Sequence, residues 1–199
     1  MAQTSASSAV AFSARTNAAT RWILSVVAGS ALVAICAHVS VPLFFTPVPM
    51  TLQPFAVLLL GLLLEPTAAF AALVLYLVEG AAGLPVFTPQ GPGGMLQLMG
   101  LTGGYLMSYP FVAAIVSFSY RRLRGNRFVS GLVAAAAGDA LILASGAAWM
   151  AVATHQNYSN VLSLSVFPFL PGDALKVCLA AAIAAGWLRM RKIKEQINR

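Results

Sequence analysis

LQPFAVLLLGLLLEPTAAFAALVLYLVEG, residues 52–80, is apolar throughout except near its ends and at one break, Glu65-Pro66. It reads either as one kinked span or as two helices, 52–64 and 67–78. Proline at 66 suits the first turn of a new helix. Each half is short against the roughly 20 residues that a full crossing of a bilayer needs. The choice matters beyond this segment, because it sets which side of a membrane everything downstream faces.

Charge decides it. Outside the apolar stretches every basic residue falls in one of three clusters. These are Arg15 and Arg21; Arg121, Arg122, Arg124 and Arg127; and Arg189, Arg191, Lys192, Lys194 and Arg199. Cytoplasmic loops collect Lys and Arg. A helix pair at 52–78 puts all three clusters on one side, and a single span would split them. We therefore read a pair; a re-entrant hairpin would keep the same parity.

The rest of the chain fits around that pair. Further spans are expected at about 22–39, 103–118, 128–147 and 171–187. Residues 148–170 form a loop with room for a short apolar helix. The expected fold is an all-α integral membrane protein, a compact bundle of six transmembrane helices with both termini cytoplasmic, in the plasma (inner) membrane. Residues 1–20 are expected to be a flexible cytoplasmic tail, 21–190 the membrane domain and 191–199 a basic cytoplasmic tail. The run from Trp22 to Val41 is too long for a signal-peptide core and no A-x-A site ends it, so no cleavable signal is expected. Composition agrees. Of 199 residues, 59% are hydrophobic and 9% charged, against about 25% charged in soluble domains, and the mean hydropathy is +0.83. The net charge of +7 follows from topology and attraction to anionic membrane lipid, with no nucleic-acid role. Cys36 and Cys178 read as small core residues.

The three connections on the other side, 38–51, 79–102 and 148–170, contain no Lys or Arg and are rich in Pro, Gly and aromatics. Phe44, Phe45, Phe87, Met95, Leu96 and Met99 are costly to expose together. Either they pack on the bundle top and in the lipid interface, or they fold down as a lid over a ligand. Ionisable groups inside the spans are few and expensive in hydrocarbon. Asp173 and Lys176 share a helix face at i, i+3, just after Pro171-Gly172. They read as a ligand site under the lid or as a structural ion pair. Asp139, in AAAAGDALIL, reads as a satisfied interhelical hydrogen bond. Glu79 stands between an exposed helix end and the pocket rim. Ser25, Ala28, Gly29, Ala31 and Ala34 make one face of the first helix smooth, open to close approach by another helix.

Enzyme motifs are missing. There is no H-E-x-x-H, no G-x-G-D and no G-x-S-G, so no catalytic residues and no metal ligands are assigned. Without G-x-x-x-x-G-K-[ST] the chain does not itself use ATP.

PVPMTLQ (47–53), GAAGLPVF (80–87), TGGYL (102–106) and PFLPGDALK (168–176), in that order on six spans, resemble the BioY family. Its members are the biotin-specific substrate-binding subunits of energy-coupling-factor (ECF) transporters. The resemblance covers about residues 22–190. It implies capture of biotin from outside, with no cofactor. It also implies two kinds of partner, a transmembrane coupling protein and cytosolic ATPases; a homo-oligomer is left open. Coupling-protein contact in this family runs through small residues of the first helix. Here only a small-x-x-x-small version is kept, Ser30 and Ala34, beside Ala31. Biotin offers two ureido N–H donors, one carbonyl acceptor, an apolar thioether ring and a carboxylate tail. Asp173 can accept from the ureido N–H, and Lys176 can donate to its oxygen or meet the carboxylate tail. Gln53 can do both. Tyr105 and Phe87 can cover the apolar faces, and Gly103 and Gly104 can offer backbone groups. Thr51 and Glu79 complete the expected set. A subunit for another small vitamin, an intramembrane enzyme and a scaffold are the competing readings.

Overall fold

The structure, a computed structural model, describes residues 2–197. Eight helices and one small hairpin follow in order: α1 (Ala2–His38), β1 (Ser40–Val41), β2 (Met50–Thr51), α2 (Gln53–Leu63), α3 (Pro66–Ala81), α4 (Gly94–Met99), α5 (Gly103–Arg122), α6 (Arg127–Thr154), α7 (Tyr158–Ser165) and α8 (Leu170–Ile197). The strands are antiparallel, Ser40 opposite Thr51 and Val41 opposite Met50.

Local chemistry explains the boundaries. Pro54 and Pro66 sit in the first turns of α2 and α3, where a missing N–H costs nothing. Asn126 caps α6, its side chain accepting from the backbone N–H of Phe128 at 2.8 Å. His155 ends the same helix in the left-handed region at φ 52°, the conformation that closes many helices. The two halves of 52–80 are therefore separate helices, α2 and α3.

Helix α2 is the hub. It packs against α1, α5, α6 and α8, and Ala56 through Leu62 are all buried. A helix apolar all round belongs in a core. Small residues let its neighbours close in: a Cβ on Gly61 would lie 2.9 Å from the Ala113 carbonyl oxygen of α5. Outward, α5 shows Phe111, Ile115 and Phe118, α6 shows Val129 and Val133, and α8 shows Leu175, Leu179 and Ile183. An exterior this apolar suits lipid, and the chain is an integral membrane protein. Among the described residues three helices are long and apolar enough to cross a bilayer, within 17–38, 127–154 and 170–197, and α2 and α3 are shorter apolar helices.

Several expectations change. Helix α1 begins at Ala2 rather than Trp22, because residues 2–28 hold neither Pro nor Gly and alanine favours helix. Helix α8 likewise runs on through the basic segment to Ile197. The loop after the fifth long span is shorter than 148–170, since α6 continues to Thr154 and α7 fills most of the remainder. Cys36 is buried as expected, but Cys178 is on the outer surface of α8. Asp139 is buried, yet its Oδ1 has no hydrogen-bond partner among the described residues, so the expected interhelical bond is absent at that atom.

Candidate binding site

At the end of the bundle away from the basic clusters, the first turns of α2, α5 and α8 converge. Asp173 is on the first turn of α8, and its N–H donates to the Phe169 carbonyl at 2.8 Å. Lys176 follows one turn on, and its Nζ donates to Asp173 Oδ1 at 2.8 Å. Both are almost fully buried, 3% and 6% exposed. Among the described residues this is the one ion pair, and it lies inside the wall of a cavity.

That cavity takes in about 560 Å³ when its open mouth is included. Thr51, Gln53 and Pro54 form one wall, and Tyr105, Leu106 and Tyr109 another. Ile142 and Leu143 come from α6, and Asp173 and Lys176 from α8. Gln53 is oriented by two neighbours: Thr51 Oγ1 donates to its Oε1 at 3.1 Å, and its Nε2 donates to the Tyr76 hydroxyl. Thr51 also accepts the Gln53 N–H at 3.2 Å. Tyr105 is pinned by its hydroxyl, which donates to the Ser165 carbonyl at 2.6 Å.

The three connections without Lys or Arg form the roof. Val48 and Pro49 come from the first, Thr88, Gln97 and Thr102 from the second and Phe169 from the third. They are tied to one another. Thr46 Oγ1 donates to the Leu164 carbonyl at 2.6 Å, joining the first to α7. Ser40 Oγ donates to Gln90 at 2.6 Å, joining the first to the second. Gln97 holds its own loop, accepting from the Gly93 N–H at 3.2 Å and donating to Thr102 at 3.3 Å.

Of the residues expected at the site, Asp173, Lys176, Gln53, Thr51 and Tyr105 meet around this cavity. The others do not line it. Phe87 is buried one layer back, edge-on to Tyr76 at 5.3 Å between centroids, so it supports the residue that holds Gln53. Glu79 accepts a hydrogen bond from Ser30, which ties α3 to α1 away from the cavity. Gly103 and Gly104 serve packing: a Cβ on Gly104 would collide with Trp149 and with the Ser145 carbonyl of α6, and one on Gly103 with the Leu98 carbonyl. The apolar loop residues Phe44, Phe45, Met95, Leu96 and Met99 are exposed and do not face the cavity, because Pro49 and Gln97 take the inward positions.

The small residues of α1 also divide. Ser30 is buried and bonded to Glu79, and Gly29 packs on α3, where its Cβ would stand 2.9 Å from that of Ala72. Ala31 is exposed and Ala34 half-buried, so Ser30 is not available to an outside partner.

Reasoning from sequence missed Tyr109, Thr88 and Gln97. Tyr109 had a signal in its i, i+4 spacing from Tyr105, and Gln97 in being a lone amide within GMLQLM.

A mostly apolar, roofed cavity with a few fixed polar groups, set in an apolar helical bundle, defines a membrane protein that holds a small molecule. Comparison with known proteins makes this specific. The BioY family model matches residues 6–193. The probable biotin transporter BioY of Pyrococcus horikoshii is 34% identical over 154 residues, 77% of this chain and 88% of that one. The biotin transporter BioY of Thermotoga maritima is 33% identical over 165 residues, 83% and 92% of the two chains. A crystal structure of the S-component for biotin from an ECF-type ABC transporter superposes with a TM-score of 0.80 at 25% identity, covering 88% of this chain and 93% of that one. The chain belongs to the BioY family.

Proposed function

We propose that this chain is the biotin-binding subunit of an ECF-type vitamin uptake transporter, a transport component and not an enzyme. It captures biotin from the outer side, beneath the three tethered loops. The observation that carries this reading is the buried Asp173–Lys176 pair in the cavity wall. Ions this buried are costly unless they are paired and further hydrogen-bonded. Lys176 occupies one carboxylate oxygen, and a carboxylate accepts more than one hydrogen bond. The ureido N–H groups of biotin are suitable donors, and its ureido oxygen can accept from Lys176 or from the Gln53 amide. Tyr105, Tyr109, Ile142 and Leu143 match the thioether ring.

In this reading the bundle crosses the membrane six times, through α1, α2, α3, α5, α6 and α8, with both termini in the cytoplasm. Helices α4 and α7 belong to the outer roof. Concentrative uptake then draws on a transmembrane coupling protein and cytosolic ATPases. The exposed face of α1 that contains Ala28 and Ala31 is the surface offered to the coupling protein.

Equilibrium binding of labelled biotin to the purified full chain tests the core of the proposal. Saturable binding, displaced by unlabelled biotin but not by thiamine or riboflavin, is the expected result. Displacement by either of those vitamins would make this a subunit for a different ligand. Chemical change of the recovered biotin would make it an enzyme.

A further inference from the structure

A second cavity lies at the opposite end of the bundle, between the start of α6 and the last turns of α8. It measures about 1220 Å³ including its open mouth. Arg127 approaches from one side and Arg189 and Arg191 from the other, over a floor that includes Phe128 and Leu188. One carboxylate, Glu195, also lines it, but among the described residues Asp173–Lys176 is the sole ion pair. Among the described residues, three guanidinium groups therefore share a groove with no carboxylate in contact with any of them. Arg127 lies 5.8 Å over the ring of Tyr120, which holds it on the wall of the groove.

The surroundings fix the level of this groove in the membrane. Exposed aromatics stand beside arginines on four helices at this end: Trp22 after Arg21, Phe118 under the Arg122 guanidinium at 4.5 Å, Phe128 after Arg127, and Trp187 before Arg189. Aromatic belts mark the headgroup region. Basic pockets between helices at that level suit lipid headgroups, and guanidinium groups pair with phosphate through two parallel hydrogen bonds.

We infer that the α6–α8 groove binds one anionic phospholipid, its phosphate among Arg127, Arg189 and Arg191 and the start of its acyl chains on Phe128 and Leu188. The site is separate from the biotin cavity, and its occupancy is read independently of biotin.

The test uses the full chain in a non-ionic detergent. The probes are dioctanoylphosphatidylglycerol, dioctanoylphosphatidylcholine and inorganic phosphate, read by native mass spectrometry and by the shift in melting temperature. Saturable retention of phosphatidylglycerol is expected, with neither of the other probes bound at the same concentration. The triple variant R127Q/R189Q/R191Q should bind it about a hundred-fold more weakly, at about five-fold per arginine. A control triple, R21Q/R122Q/R124Q, loses the same charge outside the groove and should stay close to wild type. Glu195→Gln removes the competing carboxylate and should tighten binding several-fold; it decides the matter by itself if the triple variant does not fold. Equal loss in the two triple variants would reduce the effect to net charge and overturn the site. Equal binding of phosphatidylcholine, displacement of the lipid by equimolar phosphate, or no gain in Glu195→Gln would overturn it too.

Discussion

Lys176 and Asp173 each keep the other from being a lone charge in a buried wall. Removing one partner of such a pair strands the other, which is costly in a way that removing both is not. Asp173→Asn and Lys176→Met should each weaken biotin binding about ten- to a hundred-fold, and the double variant should cost less than the sum. Titration of the four proteins, each checked by size-exclusion chromatography, measures this; unchanged affinity in both folded single variants would leave the pair a purely structural role. Tyr105 is held differently, by one hydrogen bond and by the absence of a side chain at Gly146, where a Cβ would run into its ring. Gly146→Ala should therefore cost about 1–3 kcal/mol from overpacking, while Tyr105→Phe should cost about 1 kcal/mol; thermal unfolding of the two variants gives the order. Asp173 and Lys176 stood out in the sequence because ionisable groups are scarce in apolar spans, and Thr51 and Gln53 through the PVPMTLQ motif; all four line the cavity. Gly103 and Gly104 make room for Leu98 and Trp149, a use the sequence does not reveal, because a glycine that admits a ligand and one that admits Trp149 look alike until the neighbouring helix is placed.

The elements that roof the cavity are tied by side-chain hydrogen bonds more than by shared secondary structure. Thr46 is the clearest tie, since it joins the first connection to the Leu164 carbonyl 118 positions away. Thr46→Val keeps the shape and deletes both the donor to Leu164 and the acceptor of the Val48 N–H, which lies at 3.2 Å. Dissociation of labelled biotin should become several-fold faster, with little change in melting temperature, because the loss of about 1 kcal/mol falls on the roof and not on the bundle. An unchanged dissociation rate would mean that the roof is not what retains the ligand. Ser30 makes a comparable tie between α1 and α3. Ser30→Ala removes the hydrogen bond to Glu79 and should lower stability by about 1–3 kcal/mol in a denaturation series. Long apolar helices were readable from hydropathy and the break between α2 and α3 from Glu65-Pro66. Helix α4 was not, because GMLQLM is too short to show a period. The outward turn of Phe44 and Met95 was hidden as well, since composition does not say which side of a loop an apolar residue takes.

For the whole molecule the central expectation concerns sidedness. All three basic clusters should lie in the cytoplasm. A cysteine placed at exposed Arg124, in a background free of Cys36 and Cys178, should resist an impermeant thiol reagent added to intact cells; ready labelling from outside would invert the topology. The fold class was evident from charge scarcity and apolar length, whereas the extension of α1 and α8 was not, because helix propensity in Ala- and Arg-rich ends acts whether or not a membrane is present. One dimension of the bundle has a further physical effect. Helix α2 has 11 residues, so it is about 17 Å long, against a hydrocarbon thickness of roughly 30 Å. In the proposed orientation, with its Leu63 end at the cytoplasmic face of that layer, Gln53 would stand about 13 Å beneath the outer face. Hydrophobic mismatch of this size is met here by loops in place of helix. In that orientation a ligand beside Gln53 would already have traversed about two-fifths of the dielectric barrier by diffusion alone, and a coupled motion would have only the remaining distance to supply.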